Sequence, residues 1–192
     1  LVAAGASAEQ LKDAFTLAEL ITAGTSAAQL KVAGFTATEL KNDFTATELK
    51  AAGFTVGELK TALFTAAQLK VAGFTVEELK DDFDLTELKA GGFTATELKA
   101  AGFTVGELKT GFTLAELVTA GFTATELKND FTLAELLAAG FTAIELKAGG
   151  FTVTELKLQS EPTLAERGEN AIWDLDTSFM ELDGSKAGIH LG

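Results

Sequence analysis

A five-residue signal, Thr-x-x-Glu-Leu, recurs every nine or ten residues along most of this chain, and few folds can accommodate it. In Thr36-Ala37-Thr38-Glu39-Leu40 the Thr hydroxyl is placed to accept from the third backbone N–H of a helix. The Glu carboxylate can reach back to the N–H of the Thr, so the two satisfy a helix N-terminus reciprocally. The same box stands at Thr55/Glu58, Thr94/Glu97 and Thr123/Glu126, and in variant form at Ser26/Gln29, Thr65/Gln68 and Asp84/Glu87. Thr yields only to Ser or Asp, which are also N-cap residues. Glu yields only to Gln. The units vary as though the cap were the constraint.

The residues around the box extend the reading. Phe35 precedes the cap and Leu40 follows at the fourth helical position, the two ends of a hydrophobic staple. Good helix formers (Ala, Glu, Leu, Lys) fill the turn. A Gly such as Gly53, Gly73, Gly102 or Gly121 then stands where a left-handed residue ends a helix. The expected fold is all-α: a solenoid of capped helices, each about 7–8 residues long, stacked so that neighbours bury what one unit cannot bury alone. The expected core is the Phe and Leu rows: Phe35, Leu40, Phe54, Leu59, Phe74, Leu79, Phe93, Leu98, Phe103, Leu108, Phe122, Leu127, Phe141 and Leu146. As a buried aromatic, Phe103 is expected to cost ~3–5 kcal/mol on truncation to Ala. The repeats fill residues 1–158, and an acidic-aromatic tail or cap occupies 159–192.

The alternation of Phe and Leu five residues apart also resembles the pentapeptide-repeat family, which folds as a right-handed quadrilateral β-helix with Leu or Phe inside. Three features favour helices. The spacing drops to four at Leu11–Phe15, Leu40–Phe44, Leu79–Phe83, Leu108–Phe112 and Leu127–Phe131, which a helical array absorbs by shortening a loop. Glu77 and Ile144 would occupy an inward position reserved for small residues. Val56, Leu114, Leu133 and Val153 would point outward in the β-helix, whereas in a helix they share a face with the following Leu.

Charge and composition narrow the function. The chain carries a formal net charge of −13 and no Cys. Residues 1–159 hold 21 acids and 13 lysines, and residues 160–192 hold seven acids and two bases. No basic face exists for nucleic acid, no disulfide or Cys-based metal site is available, and no run of 18 apolar residues could span a membrane. In the repeats the Glu and Lys rows are expected to be solvated and to pair weakly. Leu1–Gly5 reads as the end of a preceding unit, so the chain is expected to be a piece of something longer. His190 stands near one end, Asp174–Ser178 lacks the Gly and closing Glu of an EF-hand loop, and the repeated carboxylates are accounted for by caps. No catalytic, metal or cofactor residue is predicted. Trp173, Phe179, Met180 and Leu182, set among acids, are the candidate partner-docking residues, with a terminal cap as the alternative.

The unit Ala-Gly-Phe-Thr-x-x-Glu-Leu-Lys at Ala72–Lys80 and Ala101–Lys109 resembles the decapeptide repeats in the central region of the DotG-type subunit of Dot/Icm type IV secretion systems. The resemblance covers the repeats and not the tail. It implies a non-enzymatic spacer, scaffold or linker whose partners are other protein subunits of a large assembly, with the tail as anchor. Under the β-helix alternative, the expected functions are an acidic DNA mimic or an ice-binding face of Thr36, Thr55 and Thr75.

Overall fold

The computed structural model describes residues 8–160. Sixteen helices follow one another among the described residues, and no strand occurs. They are α1 (Ala8–Ala14), α2 (Leu17–Thr22), α3 (Ala27–Val32), α4 (Ala37–Leu40), α5 (Ala46–Ala51), α6 (Val56–Thr61), α7 (Ala66–Val71) and α8 (Val76–Leu79), then α9 (Leu85–Ala90), α10 (Ala95–Ala100), α11 (Val105–Leu108), α12 (Leu114–Thr119), α13 (Ala124–Leu127), α14 (Leu133–Ala138), α15 (Ala143–Ala148) and α16 (Val153–Ser160). The β-helix alternative therefore does not describe the repeats, and the DNA-mimic and ice-binding readings that depended on it lose their basis.

Every helix from α2 to α15 starts with a complete capping box. At Thr36 the cap N–H donates to Glu39 Oε2 at 2.7 Å while Thr36 Oγ1 accepts from the Glu39 N–H at 3.3 Å. The ends are equally regular. In α3, Gly34 N–H donates to the Lys31 carbonyl and Phe35 N–H to the Leu30 carbonyl, the paired bonds of a Schellman motif. Gly34 has φ +81°, a conformation that costs Gly little and other residues more. Phe35 thus closes one helix and staples the next, so the connection needs no further residues.

The helices are shorter than the sequence suggested. Most interior ones span six residues, as in α5 and α6, and α4, α8, α11 and α13 span four. The capping box fixes where a helix starts, but the Schellman turn consumes the end of each unit. The nine-residue units of α4, α8, α11 and α13 do not shorten a loop around a constant helix; they shorten the helix and drop the left-handed residue. Phe44 N–H then donates to the Leu40 carbonyl four residues back, where Phe54 N–H reaches the Leu49 carbonyl five residues back. In both designs the carbonyl of the buried Leu receives the N–H of the next Phe, which keeps the core in step.

The chain divides into two compact units after Gly150, the second including α16. Within the first, helices pack beside their next-but-one neighbours: α1 with α3, α3 with α5, α5 with α7, α7 with α9, α4 with α6, α10 with α12 and α13 with α15. Odd and even helices form two columns. The Leu of each unit lies between them; Leu30, Leu40, Leu49, Leu59, Leu69, Leu79, Leu98 and Leu108 are fully buried. Each buried Leu contributes ~1.5–3 kcal/mol, and among the described residues no polar or charged side chain is buried with them. Small residues let successive helices of one column approach closely. Gly91 lies so near α7 that an added Cβ would stand 2.8 Å from the Ala66 Cβ, and Gly149 meets Ala124 in the same way.

Candidate functional site: a repeated lysine clasp

The chemistry-bearing feature of the repeats is a clasp that the Lys of one helix makes on the third helix ahead. Lys70, in α7, places its ammonium 4.5 Å from the centre of the Phe93 ring. It donates to the Gly92 carbonyl at 2.8 Å and to Glu97 Oε2 at 2.8 Å. Lys12 does the same to Gly34, Phe35 and Glu39, Lys31 to Gly53, Phe54 and Glu58, Lys50 to Gly73, Phe74 and Glu78, and Lys99 to Gly121, Phe122 and Glu126. Lys60 grips the Asp82 carbonyl, the Phe83 ring and Glu87. Lys89 reaches the Gly111 carbonyl and the Phe112 ring.

Weak interactions add up in each clasp. A partly desolvated cation over a ring contributes ~0.5–2 kcal/mol. The ion pair is half-exposed, with Lys70 and Glu97 side chains 31% and 41% accessible, and adds ~0.2–1 kcal/mol. The aliphatic stem covers apolar surface that would otherwise face water. The expected solvated rows are therefore inter-turn ties. The sequence carried their signal in the recurrence of Lys, then Phe 23 or 24 and Glu 27 or 28 residues later, a separation that reading one unit at a time does not reach.

The predicted core residues fall into two groups. Phe35, Phe54, Phe74, Phe93 and Phe122 are buried, as are Leu40, Leu59, Leu79, Leu98, Leu108, Leu127 and Leu146. Phe103 and Phe141 are only half-buried. Each of the seven rings named above under a lysine is buried. Val118 stands 23 residues before Phe141. Lys80 stands 23 before Phe103, but as the C-cap of four-residue α8 it turns to the Ala101 carbonyl at 3.2 Å. The ~3–5 kcal/mol expected for Phe103 is too large for a ring already half in water.

The capping carboxylates hold their charge. The Thr36 N–H, with its hydroxyl and Lys12 adding, lowers Glu39 below the usual carboxylate range against a smaller cost of burial. Glu58 and Glu126 are lowered first by the backbone N–H of Thr55 and Thr123. At Glu97 burial pushes the carboxyl up, and Lys70 together with the Thr94 N–H and hydroxyl outweighs it, so the group is lowered. The predicted docking residues Trp173, Phe179, Met180 and Leu182 lie outside the described residues, as does His190. No described helix is long and apolar enough to cross a membrane.

Comparison of the sequence with curated proteins and with solved structures returned no match. The family described as Decapeptide repeat region matches four overlapping stretches, residues 15–83, 43–110, 81–130 and 94–160. Together these take in the capped helices from α2 to α16, and the chain belongs to this decapeptide-repeat family.

Proposed function

We propose that the array is a structural spacer or scaffold within a larger protein assembly, with residues 159–192 as its anchor. The observation that carries this reading is the clasp. Each lysine ties its helix to the third helix ahead, so units can be added or removed without rebuilding a common centre. Stability in such a stack is a sum of near-neighbour terms, which is what a part whose length is its purpose requires. The likeness of Ala72–Lys80 and Ala101–Lys109 to the DotG-type repeats supports the same reading. The tail's apolar residues among acids, Trp173 and Phe179 beside Asp174 and Glu181, suit an anchor that another subunit covers.

The test is a distance. The chain has no Cys, so T38C and T125C accept a pair of spin labels cleanly. Removing residues 65–83, or instead 84–103, excises two whole units and rejoins a Phe to an N-cap residue. A spacer predicts that each deletion shortens the inter-label distance by nearly the same step, with helicity lost only in proportion. An unchanged distance, or collapse of the helical signal, contradicts it. Deletion of 159–192 is expected to leave the array folded and to release it from its assembly.

A further inference from the structure

Two turns of the stack have the receiving half of the clasp without its lysine. Where other units carry Lys, α2 has Ile21, α12 has Val118 and α14 has Leu137, and of these Ile21 and Val118 have a Phe 23 residues ahead. The clasp formed by Lys60 runs forward 22 residues to a carbonyl and 27 to a carboxylate. The same count from Ile21 leads to Asp43, Phe44 and Glu48, and from Val118 to Gly140, Phe141 and Glu145. Phe44 and Phe141 are half-buried, unlike each of the seven rings named above under a lysine. Glu48 and Glu145 keep their caps, bonded at 2.7 and 2.8 Å to the N–H of Thr45 and Thr142. Their charge is held by Thr45 and Thr142 alone, with no cation contributing.

We infer that the Phe44–Glu48 and Phe141–Glu145 turns are sockets for a lysine side chain presented by a basic segment of a partner protein. The internal clasps supply the template. In them an ammonium sits 3.9 Å over the Phe74 ring and 4.6 Å over the Phe35 ring, within hydrogen-bond reach of a carbonyl and a carboxylate. Ile and Val reproduce the inner part of a lysine stem and end before the position of the nitrogen. The ring, carbonyl and carboxylate therefore remain at the surface as a set, shaped for a cation. The net charge of −13 attracts a basic partner to this surface. Both sockets open at the head of odd-numbered helices, α5 and α15.

This inference names the chemistry of a partner for the assembly role proposed above and rests on that reading. Its test measures peptide binding alone, so its outcome is separable from the distance steps. The full chain, ring-labelled with carbon-13 at Phe, is titrated with a five-residue lysine–glycine peptide and with its Nε-acetylated twin. The Phe44 and Phe141 signals are expected to move and saturate with the first peptide and to stay still with the second, while Phe93 does not respond. The double variant I21K/V118K restores the common residue at both places and so is expected to fold. It should weaken peptide binding at least tenfold and draw both ring signals toward those of the covered rings. Equal responses at Phe93, no response at Phe44 and Phe141, or undiminished binding by I21K/V118K would each overturn the proposal.

Discussion

The turn under Lys70 and the turn under Val118 are built from nearly the same unit, yet one ring is buried and the other half-exposed. Gly92-Phe93-Thr94 and Gly140-Phe141-Thr142 differ in nothing that a local reading weighs. Each has its left-handed Gly, at φ +82° and +93°, and each has a complete capping box. What separates them lies 23 residues earlier. Lys70 puts a stem and a charge over Phe93, and Val118 leaves Phe141 half-covered. In a near-neighbour stack the caps make each unit a helix, and a lysine contributed from the preceding turn adds cover to that unit's ring.

Acid breaks both turns and has the widest effect. The capping carboxylates have lowered folded values, for example Glu39 through the Thr36 N–H and Glu145 through the Thr142 hydroxyl. A lowered folded value means the stabilisation is fully present above the unfolded value of about 4.3 and is lost as pH falls through the folded one. Thermal unfolding followed by circular dichroism should give a flat melting temperature from neutrality down to about pH 5, then a steep fall below ~4. A melting temperature that rises on acidification would contradict the caps.

Single residues sharpen the contrast. Phe93→Ala is expected to cost ~3–5 kcal/mol, and Phe141→Ala about half as much, by urea denaturation. Equal losses would mean the lysine cover is energetically idle. Lys70→Ala removes stem, ring contact and ion pair and should cost ~1–2 kcal/mol. V118K, which supplies what that turn lacks, should add ~0.5–1 kcal/mol. The smallest expected effect lies at Leu63, which has φ +65° at the position that Gly fills elsewhere and leaves its side chain 77% exposed. Leu63→Gly relieves a strain of ~1–2 kcal/mol at little loss of burial, less the greater chain entropy of Gly, so a net gain of about 0.5 kcal/mol is expected.

The local grammar of this fold was open to reading: Thr36 with Glu39, Phe35 with Leu40, and Gly at the helix ends each act within ten residues. The inward row of Leu follows from the same pattern. Helix length was harder, because Leu40-Lys41-Asn42-Asp43-Phe44 and Leu49-Lys50-Ala51-Ala52-Gly53-Phe54 begin alike and part only where the second admits a left-handed residue. The clasp was harder still. The Lys31 ammonium bonds the Gly53 carbonyl and Glu58 and lies over Phe54, so its role depends on the stacking of turns and not on its sequence neighbours. Phe103 and Phe141 read as buried rings from their own units for the same reason. The boundary expected at residue 158 and the docking residues of the tail rest on sequence alone.

The most direct test of the clasp is the proton–carbon NMR spectrum of the lysine ε-methylene groups. A lysine held over a Phe ring lies in its shielding cone. The account predicts upfield ε-methylene signals for Lys12, Lys31, Lys50, Lys60, Lys70, Lys89 and Lys99, and smaller shifts for Lys41 and Lys80, whose ammonium groups bond the Ala62 and Ala101 carbonyls. Uniform signals at the positions of free lysine would show that the turns stack without the clasp, and would contradict its central claim.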